Sequence, residues 1–200
     1  MLNLNEARNE SALLQQGKLV GRESHLQDVR AAINKDGSHV FFFTGEGGIG
    51  KTRLLNEIGR YVAELQGNGR RVLWSGVIDL YHSDMHSNSR IEESLIKALD
   101  EKDDYFREYE KRRQEFEQQR QAGLMGAALE PQRRALTEAF AKGFELLTQA
   151  YRVILTFDTL ELVQYESSSV RQLCEIEDEG ASSVKNWLLG QVAQFDNTVT

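Results

Sequence analysis

Residues 39–52 read His39-Val40-Phe41-Phe42-Phe43-Thr44-Gly45-Glu46-Gly47-Gly48-Ile49-Gly50-Lys51-Thr52. The second half fits the phosphate-loop pattern G-x-x-x-x-G-K-[ST] at every fixed position. The chemistry explains the spacing. A polyphosphate carries several negative charges and needs many donors at once. Glycines let the backbone curl so that successive N–H groups point inward. Lys51 supplies a point charge for the β- and γ-phosphates, and the Thr52 hydroxyl suits a bridging Mg²⁺. The helix starting near Gly50 adds the positive end of its dipole. The context fits as well. His39 to Thr44 is a short apolar run that predicts a buried strand. After the loop, Leu54, Leu55, Ile58, Tyr61, Val62 and Leu65 fall on one helical face.

Outward from this stretch, the N-terminal side carries Val20-Gly21-Arg22-Glu23. A helix over Ser24–Lys35 follows, with Leu26, Val29 and Ile33 on one face, and Asp36-Gly37-Ser38 stops it. On the other side, Gly67-Asn68-Gly69 ends the loop's helix, and Arg71 to Ile78 reads as the second strand. Asp79 to Asn88 is a polar loop whose His82, Asp84 and His86 match no zinc spacing. Ser89-Arg90-Ile91-Glu92 fits a capping box for the next helix. Residues 101–121 are dense in charge of both signs, with Tyr105, Tyr109, Arg112 and Phe116 on one stripe. That pattern predicts a solvated helix with a narrow apolar seam. Pro131 opens a further helix to about Ala150. Arg152 to Phe157 is the third strand, ending at Asp158. A last helix carries Val184, Trp187, Leu188, Val192 and Phe195, and Asn197 to Thr200 opens a further strand.

The bulk numbers set limits. A chain of 200 residues with 40% hydrophobic and 28% charged residues can bury a real core. One cysteine, Cys174, excludes an internal disulfide. A formal net charge of −7 argues against a broad nucleic-acid footprint. Residues 1–16 lack a secretory apolar core, and no stretch approaches a membrane span. A cytoplasmic location is expected.

A Mg²⁺ held by phosphates needs a carboxylate nearby, taken from the end of a second apolar strand. Val153-Ile154-Leu155-Thr156-Phe157-Asp158 supplies one, so Asp158 is the metal-side acid beside Thr52. Hydrolysis also needs a group to orient the attacking water. Many ATPases place Glu directly after the strand Asp, whereas this chain has Thr159 there. The nearest acid is Glu161, which either activates water or caps the strand end.

Together, Val20-Gly21-Arg22-Glu23, Gly45 to Thr52 and Phe157-Asp158-Thr159-Leu160-Glu161 resemble the STAND class of signal-transducing P-loop ATPases. These are relatives of the AAA+ and origin-recognition ATPases and include the NACHT and apoptotic-ATPase branches. The resemblance covers about residues 19–80 and 151–165. It implies that Val20, Gly21 and Arg22 lie near the adenine and that ATP drives a switch between closed and assembling states. It also implies a sensor strand after Thr200, inserted between the phosphate-loop strand and the Asp158 strand. The chain is therefore expected to be a piece of a longer protein, with its last strands absent and poor stability of its own, unless Asn197 to Thr200 fills part of that gap.

The resulting expectation is an α/β, three-layer P-loop NTPase sheet with a helical insertion at about 89–150, within an ATPase domain over 19–200 after a leader at 1–18. Mg-ATP binding would use Gly45, Glu46, Gly47, Gly48, Ile49, Gly50, Lys51 and Thr52, with Val20, Gly21 and Arg22 at the base. Lys51, Asp158 and Glu161 would serve catalysis, and Thr52 and Asp158 the metal. The ligands are ATP and ADP, with protein partners or self-assembly, and neither membrane nor nucleic acid. The alternatives are an ATP-binding scaffold without turnover and a DNA-associated AAA+ ATPase.

Overall fold

In the computed structural model of the chain, residues 21–82, 85, 87–102, 104–160, 184, 186–188 and 190–200 are described. Helix α1 spans Glu23–Ile33 and α2 spans Lys51–Gly67. Strand β1 covers Val72–Asp79. Three helices follow, α3 (Asn88–Leu99), α4 (Arg107–Gln121) and α5 (Glu130–Ala150), the last with its proline in the first turn. Strand β2 covers Arg152–Asp158, and β3 is the short pair Thr198–Val199.

The sheet order is β1-β2-β3, all parallel. Helices cover both faces, as a parallel sheet requires. The period-2 alternation of β2 sorts the layers. Val153 and Leu155 face a cluster with Ile91, Leu95, Phe140 and Phe144 from α3 and α5. Ile154 faces the other way, into a cluster with Val29 and Ile33 of α1 and Leu54, Ile58 and Val62 of α2. Strand β1 changes register between Trp74 and Val77. Gly76, at φ +71°, absorbs the extra residue, and the Ser75 hydroxyl accepts the Thr156 N–H at 3.1 Å to replace the lost ladder bond. This bulge puts Val77 on the α1/α2 face and Ile78 on the other.

Two expectations change. His39 to Thr44 is not a regular strand. Only its first residues pair: His39 N–H donates to Thr198 O at 3.0 Å, Thr200 N–H to His39 O at 2.9 Å and Phe41 N–H to Thr200 O at 2.7 Å. The pairing stops where Thr200 does, and Phe42–Thr44 make no backbone hydrogen bond among the described residues. The expected strand at Asn197–Thr200 is β3, and it lies between β2 and this segment. The second change is at α3. Its N-cap is Ser87, which accepts from Arg90 N–H, and the helix starts two residues earlier than the Ser89 capping box implies. Glu92 therefore points into the core and is 2% exposed.

Two side chains tie β3 in place. Asn197, at φ +55°, donates to Thr148 O at 2.8 Å and Tyr151 O at 2.9 Å at the end of α5. Asparagine tolerates that left-handed conformation better than most residues. Arg152 then reaches Asn197 Oδ1 at 3.0 Å, Ala32 O at 2.8 Å and the Gly37 carbonyl. Its guanidinium joins the end of α1 to the starts of β2 and β3. Helix α4 matches the charged reading. Tyr109 is its buried residue, and Arg112 pairs with Glu108 at 2.8 Å on the outside.

Candidate functional site

The phosphate loop is an exposed turn between the 39–44 segment and α2. Gly48 at φ +78° and Gly50 at φ +87° take left-handed conformations that side chains resist. Gly45, at φ +145°, has a backbone conformation that side chains rarely adopt, and the Ile49 side chain folds over it. Gly50 is the N-cap of the 17-residue α2, whose dipole ends in the loop. The apolar face of that helix, including Leu54, Leu55, Ile58 and Val62, is buried against the sheet and fixes its direction. Lys51 Nζ lies back over the loop, donating to Gly45 O at 2.8 Å and Glu46 O at 3.2 Å. Its ammonium is thus already inside the ring of residues expected to hold phosphate.

The Thr52 hydroxyl donates to Asp158 Oδ2 at 2.5 Å, across 106 residues of sequence. The loop's last motif residue and the strand-end acid are brought together by the packing of α2 on the sheet. A hydroxyl and a carboxylate side by side are hard oxygen donors of the kind Mg²⁺ takes. This donor set fits the cation that accompanies a nucleotide triphosphate. Thr52 and Asp158 would hold it, and its charge would offset that of the phosphates.

The other expected site residues divide. Gly21 and Arg22 precede α1. Gly21 is exposed with φ +78°, and Arg22 Nη2 lies 3.7 Å from where a Gly45 Cβ would stand, so the Arg22 guanidinium borders the loop. Val20 and Glu161 lie outside the described residues, as do Asp84 and His86 of the polar loop. Among the described residues, no group of three or more His, Cys, Asp or Glu side chains could hold a metal ion. A mainly apolar cavity of about 390 Å³ runs from the site between the 40–45 segment and β2, lined by Phe41, Phe43, Leu55, Ile154, Lys51 and Asp158 among others.

One site neighbour was not singled out from sequence. Asp79, the last residue of β1, is the register partner of Asp158. Its Oδ1 accepts from Tyr81 N–H at 2.9 Å and from the Thr159 hydroxyl at 2.7 Å. Burial works to raise its carboxyl, but these two bonds and nearby His82 outweigh that and hold it below the usual range. The available signal was a second apolar strand also ending in Asp.

Comparison with known proteins agrees with this geometry. No helix among the described residues is long and apolar enough to cross a membrane. A probable disease resistance protein of Arabidopsis thaliana is 34% identical over 84 residues, a match covering 42% of this chain and 11% of that protein. No solved structure matches. The AAA ATPase domain family matches over residues 18–184, from before Arg22 to beyond Asp158. With the phosphate loop, its helix and the strand-end acid all inside that span, the chain belongs to the AAA ATPase domain family.

Proposed function

We propose that this chain binds Mg-ATP and works as a nucleotide-dependent conformational switch of the STAND type, hydrolysing ATP slowly in its full context. The Thr52–Asp158 contact carries the reading, because it joins the phosphate loop to an acid suited to the cation. Lys51 and the N–H groups of residues 45–52 would hold the phosphates, with Gly21 and Arg22, next to Val20, near the base. Mg²⁺, when bound, would offset the phosphate charge and help polarise the γ-phosphate. Glu161 is the acid proposed to orient water. The unit would span residues 19–200, with α3–α5 as an insertion, and would act in the cytoplasm with protein partners or further copies. The plant relative is named for disease resistance, which favours a signalling role.

A second reading has its own support. Thr159 occupies the place where many ATPases put the water-orienting glutamate, and its hydroxyl is bonded to Asp79. That favours ATP as a held ligand and the chain as an interaction scaffold. Calorimetry with Mg-ATP and Mg-ADP on the chain and on Lys51→Ala tests binding, with folding followed by circular dichroism. Binding that is lost in the folded variant supports the site, and no binding by the folded wild type refutes it. Phosphate release that disappears in Glu161→Gln, with binding kept, selects the switch over the scaffold.

A further inference from the structure

Parallel strands β1 and β2 end together, with Asp79 opposite Asp158. Neighbouring strands lie about 4.8 Å apart, so two carboxylates stand side by side at this edge. Thr159 lies between them in a left-handed conformation, φ +60°. A β-branched residue rarely adopts it, because its side chain crowds the backbone. Such an outlier persists only where its surroundings hold it.

Two hydrogen bonds do so. The Thr159 backbone N–H donates to Asp158 Oδ1 at 2.9 Å, and its hydroxyl donates to Asp79 Oδ1 at 2.7 Å. The Tyr81 N–H fixes that same Asp79 oxygen at 2.9 Å. Asp158 gives its other oxygen, Oδ2, to Thr52. One chain of bonds therefore runs from β1 through Thr159 and Asp158 into the first turn of α2. The N–H on Oδ1 removes the carboxylate's freedom to rotate, and so sets where Oδ2 points.

We propose that Asp79 and Thr159 are positioning residues for the divalent cation of the nucleotide, holding the Asp158 carboxylate in the orientation that serves Thr52 and Mg²⁺. This rests on the Mg-ATP reading above. Asp79 and Thr159 are both partly exposed, so their bond adds little to overall stability. What it supplies is direction. Partners of this kind that orient a metal-side group typically change metal affinity about 10- to 100-fold when removed. Asp79 acts through Thr159, and Thr159 acts through Asp158.

The test is ATP affinity, measured by calorimetry on the whole chain with Mg²⁺ present and with Mg²⁺ chelated. Thr159→Val keeps the shape but loses the hydroxyl, and Asp79→Ala loses the acceptor. Each is expected to weaken Mg-ATP binding about 10-fold while leaving metal-free ATP binding and the melting temperature unchanged. Thr159→Ser and Asp79→Asn keep the donor and the acceptor, and are expected to restore wild-type Mg²⁺ dependence. Wild-type Mg-ATP affinity in both Thr159→Val and Asp79→Ala overturns the positioning role alone. So does an equal loss with and without Mg²⁺ accompanied by a lower melting temperature, which marks a merely structural pair. A wild-type chain that ignores ATP in both conditions overturns the nucleotide reading and this inference together.

Discussion

Glu92 on α3 should make the stability of this protein fall as pH rises, and its replacement by glutamine should remove that fall. The side chain is 2% exposed in the helical core. Tyr109 from α4 and Trp187 from the C-terminal helical residues face it. Even so, Glu92 Oε1, Tyr109 OH and Trp187 Nε1 are all buried without a completed hydrogen bond among the described residues. Burial pushes the Glu92 carboxyl up from an ordinary 4.5 to about 8; Tyr109 and Trp187 pull the other way, and neighbouring Glu93 adds to the rise. Arg113 is the cation on this side of α4, and its guanidinium is taken by Glu93 at 3.2 Å and Glu110 at 3.0 Å.

The sign follows from proton counts. Between 4.5 and about 8 the folded chain keeps the Glu92 proton and the unfolded chain has lost it. The folded state binds more protons, so its stability falls with rising pH through this window. The contribution is fully present below 4.5 and is gone above about 8. At about 1.4 kcal/mol per pH unit, that window from 4.5 to about 8 sets a ceiling of about 5 kcal/mol. Urea unfolding across the window, run on wild type and Glu92→Gln in parallel, isolates this group from the others that titrate. The difference between the two should change with pH in favour of glutamine, and above about 8 the variant should be the more stable. Parallel curves for the two proteins would refute the reasoning.

Two further substitutions test the packing. Helix α2 lies so close to β1 at Gly59 that a Cβ would stand 2.2 Å from Trp74 Cη2. Gly59→Ala should therefore destabilise by about 1–3 kcal/mol despite alanine's better helix propensity, as read from the urea midpoint. Arg152→Met should cost about 2–4 kcal/mol, because it strips donors from Ala32 O, Gly37 O and Asn197 Oδ1 at once. Arg152→Lys should not rescue it in the same assay, since one ammonium cannot reproduce a fork that uses two nitrogens.

The legible parts of this chain were those whose local pattern and tertiary role agree. The phosphate loop, α2, β1 and β2 lie close to where glycine spacing and apolar periodicity placed them. Asp158 meets Thr52, as two motifs distant in sequence implied. The 39–44 run reads as a strand from its local apolar pattern, but that pattern does not say which of its residues pair among the described residues. Pairing is non-local, and β3 reaches only Phe41. Glu92 was misread because S-x-x-E is satisfied locally, whereas Ser87 takes the cap and leaves the glutamate to face the core. Asp79 was overlooked because its importance comes from the register between β1 and β2, which no stretch of either strand contains.

The two sides of the sheet have different duties. The phosphate loop is anchored by α2, whose buried face packs with α1, Val72, Ile154 and Val199. Glu92, Tyr109, Phe140 and Trp187 belong to the opposite layer. Between them, β1 and β2 send side chains to both layers and end in Asp79 and Asp158, so the strands are the main link from the layers to the site. Changes on the helical side should therefore act on global stability, and changes at the strand ends on ligand geometry. Sites that share no partner combine nearly additively. The Arg152 fork is the exception. It ties α1, β2 and β3 together, and β3 holds the start of the segment leading into the loop through His39 and Phe41. Arg152→Met should therefore reach the phosphate loop through the backbone, without touching a ligand-facing side chain, as Gly59→Ala should through the seating of α2.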